Sequence, residues 1–273
     1  MLLAIDIGNT NVHVGVFDGA ALRGTWRLGT DVERVTDEYA ILLLGLLGTT
    51  GIMPDDIKEC VLGSTVPSLS QIFQDLVRRY FRVPTLVVGS GVRTGVRILY
   101  DTPRDVGVDR IIDAVAALRL HGPPPLVVVD CGTATVFDAV SKDGDYLGGA
   151  IAPGIGLSAE TLFARASKLY RVELLKPRTA IGKNTVHALQ SGIMFGYVGL
   201  VEGIVARFKR ELGGSARVIG TGGWAKTIAR ETDVIDLVDS NLTLHGLRFI
   251  HEVNAKEQGA GSSEQGAEMT SDA

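Results

Sequence analysis

Apolar residues recur at helical spacing in several stretches of the chain. Between residues 67 and 81 they follow one another in steps of three and one, which is the periodicity of one helix face. Pro67 suits the first turn of that helix, where a missing backbone N–H costs nothing. Similar spacing predicts helices over residues 105–120 and 184–212.

Short apolar runs that end at turn residues predict strands between these helices. Residues 2–10 and 127–135 share one pattern: an apolar run, then Asp-x-Gly, then small residues, most of them polar. In both copies a second β-rich run follows and ends at an Asp-Gly turn. The aspartates of the two copies, Asp6 and Asp130, are 124 residues apart. The pattern favours an internal repeat, although two unrelated strand–turn–strand units would look similar.

The repeat divides the chain into two predicted lobes. A linker with three consecutive prolines, residues 121–125, separates the copies, so we expect lobes at residues 1–122 and 123–253. Strands that alternate with helices predict an α/β fold. Residues 254–273 hold no aromatic side chain and are mostly Gly, Ala, Ser, Glu and Gln. They cannot bury enough apolar area to offset their ordering entropy, which predicts a disordered tail.

Charge and composition narrow the classes of partner. The chain has 273 residues, with 27 Lys and Arg against 31 Asp and Glu, and it lacks a basic stripe, so we expect no nucleic-acid partner. Two cysteines, Cys60 and Cys131, make no disulfide framework and favour a reducing compartment. The N-terminus has no basic leader and the longest apolar run, residues 40–47, is too short for a bilayer. We therefore expect a cytoplasmic protein without a membrane partner.

Each copy of the repeat contains a candidate phosphate-binding loop. Residues 6–11 read Asp-Ile-Gly-Asn-Thr-Asn, and residues 130–135 read Asp-Cys-Gly-Thr-Ala-Thr. A glycine lets the backbone approach a phosphate, and the hairpin amides and polar side chains can donate hydrogen bonds to its oxygens. Asp6 ends a buried strand and could hold Mg²⁺ or its water shell. A single Asp-x-Gly is usually only a turn, so this prediction depends on the duplication.

Two other glycine clusters resemble nucleotide motifs. Residues 181–185 resemble the end of a P-loop, but Pro177 stands where the upstream glycine is required, and we reject that interpretation. Residues 220–223 follow a predicted strand and nearly match a dinucleotide fingerprint. Too little chain follows them for a dinucleotide domain. We expect either a turn that packs against an adenosine or a purely structural strand-to-helix turn.

Asp109 and Arg110 lie at the predicted start of a helix. A carboxylate beside a guanidinium at a helix N-terminus suits a base that accepts a substrate hydroxyl proton, with a cation that holds an anionic substrate. The same two residues could equally belong to a capped helix with an ordinary surface ion pair and no catalytic role.

Six short motifs occur in a fixed order along the chain. They are residues 6–11, 107–110, 130–135, 148–154, 182–185 and 220–223. Together they resemble the type III pantothenate kinase family, of the actin/sugar-kinase/Hsp70 fold superfamily. The resemblance covers residues 1 to about 250. It implies an α/β fold of two related ribonuclease H-like lobes with a nucleotide cleft between them.

The same resemblance implies ATP-dependent phosphorylation of pantothenate to 4′-phosphopantothenate, the first step of coenzyme A biosynthesis. It implies ATP contacts for Asp6, Ile7, Gly8, Asn9, Thr10, Asn11, Val12, His13 and Thr133. It implies pantothenate contacts for Tyr100, Gly107, Val108, Asp109, Arg110 and Thr185. Asp109 is implied as the proton acceptor. ATP is expected with Mg²⁺, and Asp130 is implied as the ligand of a monovalent cation, K⁺ or NH4⁺.

The resemblance also implies a homodimer, for which a row of glycines suggests an interface. Gly192, Gly196, Gly199 and Gly203 lie on one face of the predicted helix 184–212. Each costs about 0.8–1 kcal/mol relative to Ala, so we expect a compensating close approach. A partner helix across the dimer interface or packing within the lobe would supply it.

Two other functions fit the same motifs. One is a nucleotide-binding regulator of the transcriptional accessory type without useful turnover. The other is a kinase or phosphatase of the same fold that acts on another small molecule. The presence of both Asp109 and Arg110 favours the pantothenate kinase.

Overall fold

A computed structural model describes the backbone of residues 1–268 and the side chains of residues 1–255. In the first part of the chain, the elements in order are β1 (Leu2–Ile7), β2 (Asn11–Asp18), β3 (Ala21–Gly29), α1 (Thr36–Gly48), β4 (Glu59–Ser64), α2 (Pro67–Leu76), β5 (Thr85–Val87) and α3 (Val108–His121). The second part contains β6 (Leu126–Cys131), β7 (Ala134–Val140), β8 (Tyr146–Pro153), α4 (Ile155–Arg165), α5 (Thr185–Glu211), β9 (Arg217–Thr221), α6 (Ala225–Ala229), β10 (Leu237–Val238) and α7 (Leu242–Glu268).

The strands form two five-stranded sheets with the same strand order. One sheet reads β3-β2-β1-β4-β5, and the other reads β8-β7-β6-β9-β10. In each, the first three strands are antiparallel neighbours. The fourth strand pairs in parallel with the central strand, and the fifth pairs in parallel with the fourth. Asp6 and Asp130 occupy corresponding positions on the central strands β1 and β6. The predicted α/β fold with two related ribonuclease H-like halves is confirmed.

Both central strands are buried along nearly their whole length. β1 and β6 share the burial pattern of four buried residues, a half-buried Asp and a final buried residue. A strand covered on both faces needs a continuous apolar run rather than an alternating one. The core around β1 includes Tyr39 from α1 and Phe73 from α2, and the core around β6 includes Tyr197 from α5.

The three predicted helices are present, with small differences at their ends. The stretch 67–81 is α2 followed by a π-helical turn, Val77–Phe81, that ends at Arg82 with a φ of 59°. α3 begins at Val108 rather than at residue 105, because a 3-10 turn, Pro103–Asp105, comes before it. α5 begins directly after Asn184, whose side chain accepts a hydrogen bond from the His187 N–H.

Residue contacts divide the chain into two compact units. The first unit contains Met1–Val96, Arg104–Ala116 and the chain from Thr243 on, and the second contains Arg97–Pro103 and Ala117–Leu242. This division differs from the predicted lobes 1–122 and 123–253 in two ways. α7 belongs to the first unit, and residues 97–103 and 117–122 belong to the second. A Cβ added to Gly246 of α7 would overlap the carbonyl oxygen of Ile112. Gly246 and Ile112 are far apart along the chain, so local sequence patterns do not reveal this contact.

Part of the predicted tail 254–273 has a helical backbone, since α7 continues to Glu268. Residues 269–273 lie outside the described residues, and there the disordered tail stays a prediction.

α5 is long and apolar enough to cross a membrane by length and composition alone. Eight of its residues are buried, and several of them belong to the core of the second unit. A core helix of a soluble protein has these same properties, and we assign α5 to that class.

Candidate active site

The first candidate phosphate loop joins β1 to β2. The Gly8 N–H donates to the Asn11 carbonyl at 3.0 Å, which closes a tight turn. Asn9 and Thr10, at the tip of that turn, are exposed, whereas Asp6 is half-buried at the end of β1. The loop therefore presents a backbone turn and short polar side chains beside a carboxylate.

His13 lies on β2 directly opposite Asp6 in the register. Its pKa is lowered to about 4, chiefly by burial and further by the charge of Arg27. The imidazole is therefore neutral at pH 7 and contributes no cation to this loop.

The second loop joins β6 to β7 and is one residue shorter than the first. Here the Gly132 N–H donates to the Ala134 carbonyl at 3.0 Å. Thr133 is exposed at its tip, and Asp130 is half-buried at the end of β6. The Gly154 N–H donates to the Thr133 carbonyl at 3.0 Å, which fixes the loop to the end of β8.

Two glycines pack directly against this second loop. A Cβ on Gly154 would lie within 2.5 Å of the Gly132 carbonyl oxygen and still closer to that of Thr133. A Cβ on Gly222, whose φ is +87°, would overlap Oδ1 of Asp130. The glycine-rich turn 220–223 thus packs on the Asp130 carboxylate. The contact of this turn with an adenosine stays a prediction.

Asp109 and Arg110 lie in the first turn of α3. Asp109 is half-buried and Arg110 is only 8% exposed. Burial raises the pKa of Asp109 above its ordinary value, and a backbone hydrogen bond from Arg110 together with the charge of Arg110 partly offsets the rise. Gly107 leaves room for the Asp109 carboxylate in this position, because a Cβ there would lie 2.5 Å from Oδ1 of Asp109. This degree of burial distinguishes the two residues from an ordinary surface ion pair.

Close glycine contacts hold the helix that carries Asp109. A Cβ on Gly63 of β4 would lie 2.7 Å from Cδ1 of Ile112, and Gly246 of α7 lies against the Ile112 carbonyl. Ile112 is one helical turn after Asp109, so β4 and α7 together fix the position of that turn.

The implied pantothenate residues are divided between the two units. Gly107, Val108, Asp109 and Arg110 belong to the first unit, and Tyr100 and Thr185 to the second. The Tyr100 ring lies against β8, where a Cβ on Gly148 would lie 3.0 Å from two ring carbons. Thr185 is exposed and is the first residue of α5. The approach of these two groups to each other stays a prediction.

The donor groups of the described residues form no complete metal site. Within this part of the chain, no group of three or more His, Cys, Asp and Glu side chains is placed to hold an ion. Asp6 and Asp130 each supply a single carboxylate next to a loop. Such a site fits an ion that takes its other ligands from water, backbone carbonyls or a bound phosphate.

The two sheets of identical order define the actin/sugar-kinase/Hsp70 class of fold. The chain is similar to a Baf family transcriptional activator from Campylobacter jejuni, with a TM-score of 0.61 and 19% identity over 93% of this chain and 99% of that one. It is also similar to the activator of the 2-hydroxyisocaproyl-CoA dehydratase from Clostridium difficile, solved with bound ADPNP. That match has a TM-score of 0.51 and 13% identity over 94% of this chain and 97% of the other. At such identities the likeness shows the fold alone.

Sequence similarity shows the family. The family model for type III pantothenate kinase matches residues 2–207. A type III pantothenate kinase from Dehalococcoides mccartyi is 49% identical over 253 residues, which are 93% of this chain and 96% of that protein. The chain belongs to the type III pantothenate kinase family, and the resemblance seen in its six motifs is confirmed.

Proposed function

We propose that this protein phosphorylates pantothenate with ATP and so forms 4′-phosphopantothenate, the first step of coenzyme A biosynthesis. The observation that carries the proposal is the family match over most of the chain. It favours this reaction over a regulator without turnover and over a kinase or phosphatase for another molecule. The Baf family structure does not favour the regulator, because its 19% identity supports only the fold.

The two loops are proposed to bind the phosphates of ATP. In the first loop, the residues proposed for these contacts are Asp6, Ile7, Gly8, Asn9, Thr10, Asn11, Val12 and His13. Thr133 serves the same purpose in the second loop. The exposed turns at residues 9–10 and 133 support this role, because a phosphate can reach their backbone amides.

Two cations complete the proposed nucleotide site. Asp6 is proposed to hold Mg²⁺ through water, as suits an ion that prefers few carboxylates and substrate phosphates. Asp130 is proposed to bind K⁺ or NH4⁺, and the packing of Gly222 fixes the position of its carboxylate. Both ions would neutralise charge on the phosphates during the transfer.

Asp109 is proposed to accept the proton of the pantothenate hydroxyl. Phosphoryl transfer has a loose transition state, so position and charge matter more than the strength of the base. A raised pKa moves this carboxyl toward the working pH, which favours proton transfer. Arg110, Tyr100, Gly107, Val108 and Thr185 are proposed to hold the rest of the substrate.

A coupled ADP-release assay tests this function. We expect ADP release that depends on pantothenate and rises several-fold when K⁺ or NH4⁺ replaces Na⁺. ADP release without pantothenate would indicate a nucleotide hydrolase, and binding of ATP without release would indicate the regulator. Turnover independent of the monovalent cation would show that Asp130 does not have its proposed role, but it would not contradict the proposed reaction.

The homodimer is proposed to form across the exposed face of α5. A Cβ on Gly192, Gly196 or Gly199 would meet no atom within 4 Å among the described residues. Packing within the chain therefore does not explain these three glycines. Beside them, an apolar groove of about 460 Å³ is lined in part by Ile155 and Leu162 of α4. A second copy of the chain would fill that groove and cover the glycines.

Gly196→Leu is expected to convert the dimer to a monomer in sedimentation. The leucine would fill the groove that the partner occupies, while its better helix propensity leaves folding unchanged or stabilised by up to about 1 kcal/mol. Gly45→Leu on α1 is the matched control, because a Cβ there also meets nothing within 4 Å. A Gly196→Leu protein that remains dimeric would show that the interface lies elsewhere.

The protein is also proposed to work in the cytoplasm, as expected for a soluble metabolic kinase. Its slight negative charge supports the expectation of neither a nucleic-acid nor a membrane partner.

A further inference from the structure

One threonine outside the motifs makes two hydrogen bonds to the first phosphate loop. The Thr30 hydroxyl donates to the Gly8 carbonyl at 2.6 Å. The Thr30 backbone N–H donates to the Thr10 carbonyl at 3.0 Å. Thr30 comes directly after β3, and the two bonded carbonyls lie on either side of the exposed Asn9.

The preceding peptide of the loop is held in a similar way. The Ile7 carbonyl accepts hydrogen bonds from the Thr65 N–H at 2.9 Å and from the Thr65 hydroxyl at 3.2 Å. On the opposite side of that peptide, the Gly8 N–H points to the Asn11 carbonyl. This is the geometry of a planar trans peptide, in which the C=O and N–H bonds point in opposite directions.

The same geometry fixes the next amide of the loop. Because the Gly8 carbonyl is directed at the Thr30 hydroxyl, the Asn9 N–H must point away from Thr30. Gly8 has no Cβ, so without this bond the peptide between Gly8 and Asn9 could rotate at low cost. A rotated peptide would present its carbonyl oxygen where the N–H had been, and an oxygen repels a phosphate.

We propose that Thr30 is a positioning residue for ATP, whose hydroxyl holds the Asn9 N–H toward the phosphates. The inference rests on the proposed role of residues 6–13 in binding ATP. Thr30 itself touches no substrate in this proposal, since its hydroxyl is engaged by the Gly8 carbonyl.

The second loop shows what the hydroxyl adds. Gly154 occupies the place of Thr30 there, and its N–H bonds to the Thr133 carbonyl as the Thr30 N–H bonds to that of Thr10. A side chain at residue 154 would overlap the Gly132 and Thr133 carbonyls. The backbone bond is therefore common to both halves of the fold, and the hydroxyl bond belongs to the first loop.

Thr30→Val tests the proposal, because valine keeps the shape of threonine and lacks the hydroxyl. We expect the Kd and KM for ATP to rise about tenfold, which is near the upper end of the range for the loss of one hydrogen bond. The KM for pantothenate should stay within about twofold. Thr30→Ser should restore an ATP affinity close to that of the unchanged protein. Should Thr30→Val fold poorly in a thermal melt, Thr30→Ala is measured in its place.

Thr49→Val is the matched control within the same unit. The Thr49 hydroxyl also donates to a carbonyl, that of Leu46, at 2.6 Å, but at the exposed end of α1. We expect no change in ATP affinity for this variant. An equal loss in Thr30→Val and Thr49→Val, or a loss in Thr30→Val that serine does not restore, would overturn the positioning role.

Asp6→Asn separates this inference from the proposed function. If Asp6→Asn weakens ATP binding and Thr30→Val does not, the loop binds ATP and the role of Thr30 is wrong. If neither change alters ATP binding, residues 6–13 are not the phosphate site and both proposals fail. Weaker binding in both variants, with rescue by serine at residue 30, supports both.

Discussion

Asp109→Asn is expected to lower kcat by roughly 100-fold to 10,000-fold, the usual contribution of a positioned general base. Asparagine has the same shape but cannot accept the hydroxyl proton. ATP and pantothenate should bind with affinities within a few-fold of the original values, because the proposed role of Asp109 is in the transition state. The coupled ADP-release assay measures kcat, and direct titration measures the two affinities.

The pKa of Asp109 predicts how stability responds to this change. Burial raises the folded pKa above that of an ordinary aspartate, so the carboxyl keeps its proton in the folded state at a pH where the unfolded state has lost it. The free energy of unfolding therefore falls as pH rises through that interval. Asparagine removes this cost, and we expect the variant to be at least as stable at pH 7.

The acid limb of kcat/KM gives a second readout for the same residue. That limb reports the free enzyme, and we expect its midpoint above the 3.8 of an ordinary aspartate. Asp105→Asn is the control, since Asp105 is exposed in the 3-10 turn just before α3. Near-original turnover in Asp109→Asn, or an equal loss in Asp105→Asn, would remove Asp109 from its proposed role.

Much of the fold could be predicted from local patterns. The Asp-x-Gly repeat identified β1 and β6 as equivalent strands, because a buried central strand needs a continuous apolar run before its polar end. Periodic apolar residues likewise located α2, α3 and α5 to within a few residues. These features depend on neighbours in sequence, and sequence displays them directly.

Features that depend on distant partners could not be predicted. Thr30 bonds to a carbonyl 22 residues away, and nothing around it in the sequence resembles a motif. The packing of Gly246 on Ile112 assigns α7 to the first unit, although the repeat placed residues 243–253 with the second lobe. The motif 148–154 contained Gly154, yet only coordinates show which atoms exclude a side chain there.

Gly154→Ala is expected to disrupt the second candidate phosphate loop. Gly154 has a φ of −66° and a ψ of 159°, a conformation that alanine adopts without strain. The obstacle is steric, because the methyl group would enter the space of the Gly132 and Thr133 carbonyls, which are backbone and cannot rotate away. The loop must therefore move, and with it Thr133 and the proposed cation site at Asp130.

We expect Gly154→Ala to lose about 1–3 kcal/mol of unfolding free energy, as overpacked sites do, and to bind ATP at least about tenfold more weakly. Urea denaturation and nucleotide titration measure the two effects. Gly156→Ala is the matched control two residues later in α4, where the added methyl would lie 3.8 Å from the Trp224 indole nitrogen, an ordinary contact. Alanine there should leave ATP binding unchanged and stabilise the helix by up to about 1 kcal/mol. Equal behaviour of the two variants would show that the loop tolerates a side chain at residue 154, and the proposed geometry of the second loop would then be wrong.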